Sequence, residues 1–135
     1  YHMYGSNKYL EKHGYPKNVN DLNKHKFISY GKGAPSPVFN PDWALKLGMK
    51  DNKKRRSSMK VNSIMGLLLA VESGVGIAAL PDYLVSLSSN LIKLIPSEEG
   101  PITEAYFVYP ESLKNVARVQ AFRNFLYSKI SEWKF

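Results

Sequence analysis

From Asn115 to Trp133 the apolar residues Val116, Val119, Phe122, Leu126, Ile130 and Trp133 recur three or four positions apart. That spacing lays one apolar stripe along an α-helix. Arg118, Arg123, Lys129 and Lys134 occupy the opposite face. Ile64 to Val71 is patterned differently. It is apolar on nearly every face, which predicts a helix buried on more than one side. Asn62 or Ser63 caps its start and Gly74 its end.

Shorter patterns fill the rest of the chain. Ser6–Gly14 predicts a helix with Ser6 as N-cap and Gly14 as terminator, stopped by Pro16. A helical turn runs from Asn20 to about His25. Lys26–Tyr30 predicts a strand closed by Gly31 and Gly33, followed by a Gly/Pro/Ser loop to Pro37. Asn40, Pro41 and Asp42 predict a helix start, and Gly48 its end. Met59–Asn62, Val75–Leu80, Leu91–Ile95 and Thr103–Tyr109 predict further strands, with a helix over Asp82–Leu87. Strands and helices alternate throughout, so the expected class is α/β with a mixed, mostly parallel sheet flanked by helices. No internal repeat or low-complexity stretch interrupts it.

Composition supports one globular domain: 135 residues, 44% hydrophobic and 22% charged. The absence of Cys removes disulfides, thiolate metal sites and Cys nucleophiles, and fits a cytoplasmic protein. The chain opens on Tyr1-His2-Met3 without a secretory pattern and reads as part of a longer protein. No apolar run approaches the ~18 residues needed to cross a bilayer, so no membrane partner is expected.

The net charge of +8 raises a nucleic-acid reading. Only Lys50–Arg56 is a dense basic run, and no aromatic residues interleave with it. It reads as a solvated loop leading into a strand. A basic nucleic-acid module would instead show steeply salt-dependent DNA binding in a gel shift.

Catalytic and metal motifs are not found. His2, His13 and His25 lack ligand spacing, so no metal and no cofactor are expected. His25 is expected to contact the last carbonyls of the preceding turn. No Gly-x-Ser-x-Gly or P-loop occurs, and an Asp82–His25 pair serving some Ser has little behind it. Gly74-Val75-Gly76 lies between helix and strand in the wrong order for a dinucleotide turn, so Gly74 terminates a helix and Gly76 permits close packing. An enzyme is not expected. Strand ends followed by helix starts remain, at Tyr30-Gly31, Asn62-Ser63 and Ala79-Leu80. In open α/β sheets ligands bind beyond such ends.

The run from Val61-Asn62-Ser63 through Glu72-Ser73-Gly74-Val75-Gly76-Ile77-Ala78-Ala79-Leu80-Pro81-Asp82 resembles the effector-binding domain of LysR-type transcriptional regulators. Tyr9-Leu10-Glu11-Lys12-His13-Gly14, Asp21-Leu22 with His25-Lys26-Phe27-Ile28, Tyr106-Phe107-Val108-Tyr109-Pro110 and Arg118–Leu126 resemble further family segments in order. The resemblance implies a lobe like that of type II periplasmic binding proteins. Residues 1–102 would be the second lobe, and 103–135 a strand and helix returning to a first lobe. It implies a small, anionic effector, a homo-oligomer, and DNA binding only through a helix-turn-helix domain that these residues do not contain. The implied effector contacts are Tyr30, Gly31, Ser36, Asn62, Ser63, Ile64, Ala79 and Leu80. A fragment of a periplasmic solute-binding protein is the alternative.

Overall fold

A computed structural model describes residues 1–31, 42–51, 53–86 and 90–132. The chain divides into two compact units, Tyr1–Thr103 and Glu104–Phe135.

The first unit holds five strands: β1 (His2–Ser6), β2 (Phe27–Tyr30), β3 (Ser57–Val61), β4 (Ala78–Leu80) and β5 (Leu91–Leu94). Both neighbours of β1 run antiparallel to it, with His2 opposite Leu80 and Tyr4 opposite Lys93. β2 and β3 pair in parallel, with Tyr30 opposite Val61. A single parallel bridge, Phe27 with Ile77, joins β2 to the start of β4. β2, β3, β4 and β5 therefore all point one way, and β1 alone runs against them. The mixed, mostly parallel sheet expected from the sequence is present. The strand absent from that expectation is β1, whose five residues carry no flanking turn signals.

Alternation along the strands divides the core between two faces. Tyr4, Ile28, Ala78 and Leu80 pack with Leu67, Leu68 and Val71 of α3 (Ile64–Glu72) and with Leu84 and Val85 of α4 (Asp82–Val85). Met3, Phe27 and Ile77 pack with Tyr9 and Leu10 of α1 (Asn7–His13), Leu22 of a 3-10 turn (Val19–Lys24), and Ala44 and Leu45 of α2 (Trp43–Lys46).

Local signals explain several boundaries. Asn18 accepts the N–H groups of Asn20 and Asp21 and so starts the 3-10 turn. Ser63 accepts the N–H of Gly66 and caps α3. Gly14 and Gly74 terminate α1 and α3 at φ 87° and 79°, where a side chain would be strained. Ser6 sits at the N-cap of α1, but its hydroxyl makes no cap bond. The Asn40–Pro41 helix start lies outside the described residues.

Two expectations are corrected and a third is refined. α3 is buried on one side only: Met65 and Leu69 stay 49% and 57% exposed. Arg55 is not solvated with the rest of the Lys50–Arg56 run; it turns inward and is buried. His25 does contact the last carbonyls of the turn, but through its backbone N–H to Leu22 and not its ring, whose Nδ1 is buried with no partner among the described residues.

In the second unit α5 spans Ala117–Ser131. The segment expected as a strand over Thr103–Tyr109 forms no ladder among the described residues. An alternating pattern cannot make a strand without another to bond. Phe107 instead packs edge-on against Phe122 of α5, ring centres 5.6 Å apart. No residue of α5 is buried within its unit, and Phe122 and Ile130 remain half-exposed. No helix among the described residues is long and apolar enough to cross a membrane.

Candidate functional site

The parallel register places Tyr30, Val61 and Leu80 at one end of the sheet, the carboxyl end of β2, β3 and β4. Gly31 donates its N–H to the Val61 carbonyl at 2.8 Å and extends the β2–β3 ladder to its edge. Asn62 and Ser63 follow Val61 there and are exposed, and α3 begins at Ile64. The structure thus brings Tyr30, Gly31, Asn62, Ser63, Ile64, Ala79 and Leu80 to the same end.

Their side chains are not equivalent. Leu80 is fully buried in the core, so only its backbone could meet a ligand. Ile64, like Tyr30 and Val61, packs part-buried against the same core. Ser63 Oγ already accepts from Gly66 at 3.3 Å. Ala79 borders a hollow of about 20 Å³ shared with Tyr1, Ser29, Tyr30 and Trp43. That volume holds roughly one water. Ser36 lies outside the described residues.

Tyr30 stands out chemically. Its hydroxyl is buried and has no hydrogen-bond partner among the described residues. Burial pushes its pKa up to about 12, and the nearby Tyr1 and Tyr83 push the same way. It is a hydroxyl donor at any ordinary pH, and leaving such a group unpaired costs about 1–3 kcal/mol.

One cluster beside this edge was not read from the sequence. Because β1 runs backwards, its start lies at the carboxyl end of β4. His2 Nδ1 approaches the two Asp82 carboxylate oxygens at 2.8 and 2.9 Å. The Tyr4 hydroxyl donates to Asp82 as well, and Lys93 Nζ lies 3.5 Å away. Burial would raise the Asp82 carboxyl, but the bonds from Tyr4 and His2 bring it down to about 2. Its partners are 78 and 80 residues distant, which hid the cluster. The Asp82–His25 pairing considered from sequence does not form.

A carboxyl depressed in the folded state stabilises the fold above its unfolded value of 3.8. That contribution is lost as pH falls from about 4 toward 2. Asp82→Asn is therefore expected to cost about 2 kcal/mol at pH 7 in urea denaturation, and its penalty should vanish by about pH 2. A penalty unchanged by acid would assign Asp82 a packing role alone.

The family of LysR substrate binding domains matches residues 1–130. The chain belongs to that family. Relatives of this LysR domain include an uncharacterized HTH-type transcriptional regulator of Haemophilus influenzae, 31% identical over 116 residues, which cover 81% of this chain and 38% of the relative. Among solved structures, the regulatory domain of CrgA, a LysR-type transcriptional regulator from Neisseria meningitidis, aligns with a TM-score of 0.69 at 24% identity. The alignment covers 95% of this chain and 63% of that domain. CrgA itself aligns with the same score, and 44% of its chain is covered. These structural matches establish the fold. The chain spans less than two-thirds of each of these relatives. All three matches are to regulators and none to a solute-binding protein, which sets that alternative aside.

Proposed function

We propose that this LysR-family domain is an effector-sensing lobe of a transcriptional regulator, and that a small anionic metabolite binds at the carboxyl end of β2, β3 and β4. One observation carries the reading: Tyr30, with its unpartnered hydroxyl, stands level with Gly31, Asn62 and Ser63 at the edge where parallel strands give way to α3. Neutral donors and open helix N–H groups at such an edge suit a carboxylate or carbonyl oxygen. Residues 1–102 form the second lobe in this reading, and 103–135 return to a first lobe. Binding draws the lobes together and shifts a homo-oligomer that contacts DNA through a separate helix-turn-helix domain, in the cytoplasm and without catalysis.

Two tests bear on it. The coding sequence upstream of Tyr1 is expected to encode a first lobe and a helix-turn-helix; a secretory signal there would overturn the regulator reading. In the whole protein, Tyr30→Phe should weaken effector binding about three- to tenfold by calorimetry, the range for one hydrogen bond. Unchanged affinity would move the site elsewhere.

A further inference from the structure

We infer that Tyr9, His13 and His25 form a proton-sensitive clasp, which holds α1 against the Val19–Lys24 turn near neutral pH and loosens on acidification. The Tyr9 side chain is almost fully buried at the centre. The His13 ring stacks on it with centres 4.2 Å apart and planes 12° from parallel. His13 is anchored there by its Nδ1, 3.0 Å from the Tyr9 carbonyl oxygen. The His25 ring approaches Tyr9 at 5.7 Å, tilted by 50°. The Tyr9 hydroxyl accepts the backbone N–H of Lys26 at 2.8 Å, tying the residue after His25 to the same ring.

The weak point is His25 Nδ1, which is buried without a hydrogen-bond partner among the described residues. A neutral imidazole can leave one nitrogen bare. A protonated ring cannot, since both nitrogens then carry hydrogens and the charge needs solvation or a partner. The surroundings supply mostly like charge. α1 contributes His13, the connection after it Lys17, the 3-10 turn Lys24, and Lys26 follows directly. Of these, His13, Lys17 and Lys24 border an open hollow together with Asp21. Asp21 already accepts the Lys17 backbone N–H at 3.0 Å and faces Lys24 Nζ at 3.6 Å. Burial lowers the His25 pKa below its ordinary 6.5; His13 and Lys24 add to this and Asp21 opposes it. The unfolded chain therefore takes up this proton more readily than the folded one. The His25 contribution is complete above pH 6.5 and is lost as pH falls below it. β2 begins two residues later, and its other end carries Tyr30 and Gly31, so loosening acts on the strand that bears the candidate site.

The test is urea denaturation of the 135-residue chain at pH 8.0 and 5.5, comparing wild type with His25→Gln. The folding equilibrium constant should fall by up to about tenfold more in the wild type, the ceiling set by one pH unit below 6.5. Equal pH dependence in the two proteins would overturn the clasp. NMR titration of the wild-type histidines decides independently of whether the variant folds. The His25 ring should titrate below 6.5, and further up toward it in His13→Ala. Titration of His25 at or above 6.5 in the wild type would contradict the proposal.

Discussion

Replacing Gly76 with alanine is expected to destabilise the Tyr1–Thr103 unit by at least about 3 kcal/mol. Gly76 lies where β4 meets β2. A Cβ there would collide with the Lys26 carbonyl oxygen and press on Ile28 Cγ1 at 3.3 Å. The oxygen belongs to the backbone and cannot swing aside as a side-chain tip can. It also accepts the Ile77 N–H at 2.8 Å, while Ile77 accepts the Ile28 N–H at 2.9 Å. Those two bonds are the junction that joins β2 and β3 to the other three strands. Relieving the clash means withdrawing β2, which breaks both. Gly14→Ala is the control. Gly14 has φ 87° and ψ 165°, a backbone region kept almost wholly to glycine, but open space where a Cβ would go, so only conformational strain of about 1–3 kcal/mol applies. Urea denaturation of both variants should separate them clearly; equal costs would show that the junction gives way without penalty.

Arg55→Ala should cost about 3 kcal/mol in the same assay. The side chain is a polar rivet among three segments. Nε donates to Asn23 Oδ1 at 2.7 Å, one terminal nitrogen to the Leu47 carbonyl at 2.6 Å, and the other to the Val19 carbonyl at 3.2 Å. The guanidinium also lies over the Phe27 ring, 5.5 Å from its centre. Alanine removes all of these and strands their acceptors. Lysine offers one ammonium in place of a planar fork, so Arg55→Lys should recover less than half of the loss. Lys53→Ala and Arg56→Ala, in the same basic run but exposed, should stay within about 0.5 kcal/mol of wild type. A loss for Arg55→Ala no larger than theirs would return it to the solvated loop expected from sequence.

These residues mark where the sequence was legible. α1, α3, β2 and β5 announce themselves through caps, terminating glycines and apolar spacing, all written within a few residues. The crowding at Gly76 was legible for the same reason, since a glycine between helix end and strand has few other uses. β1 was not, because Tyr1–Ser6 becomes a strand only by pairing with β4 and β5, some 75 to 90 residues on. The converse failure is Thr103–Tyr109, which alternates like a strand and finds no partner. Arg55 looks like its neighbours in sequence, and only Val19, Asn23 and Leu47 turn it inward.

The candidate site follows the same division. Tyr30, Gly31, Asn62, Ser63, Ala79 and Leu80 could be placed together because strand ends converge by topology. Which of them presents a usable group could not. Leu80 is sealed in the core and the Ser63 hydroxyl is engaged by its own helix, whereas Tyr30 keeps an unsatisfied donor. The cluster of His2, Tyr4, Asp82 and Lys93 needed the reversed strand to be seen.

The carboxyl end of β2, β3 and β4 is proposed to receive the effector. The most direct test is amide NMR of the isotope-labelled whole regulator, titrated with small carboxylates. Binding should perturb Tyr30, Gly31, Asn62, Ser63 and Ala79 first, and Tyr30→Phe should weaken it. Saturable binding that leaves those five amides unmoved would contradict the claim.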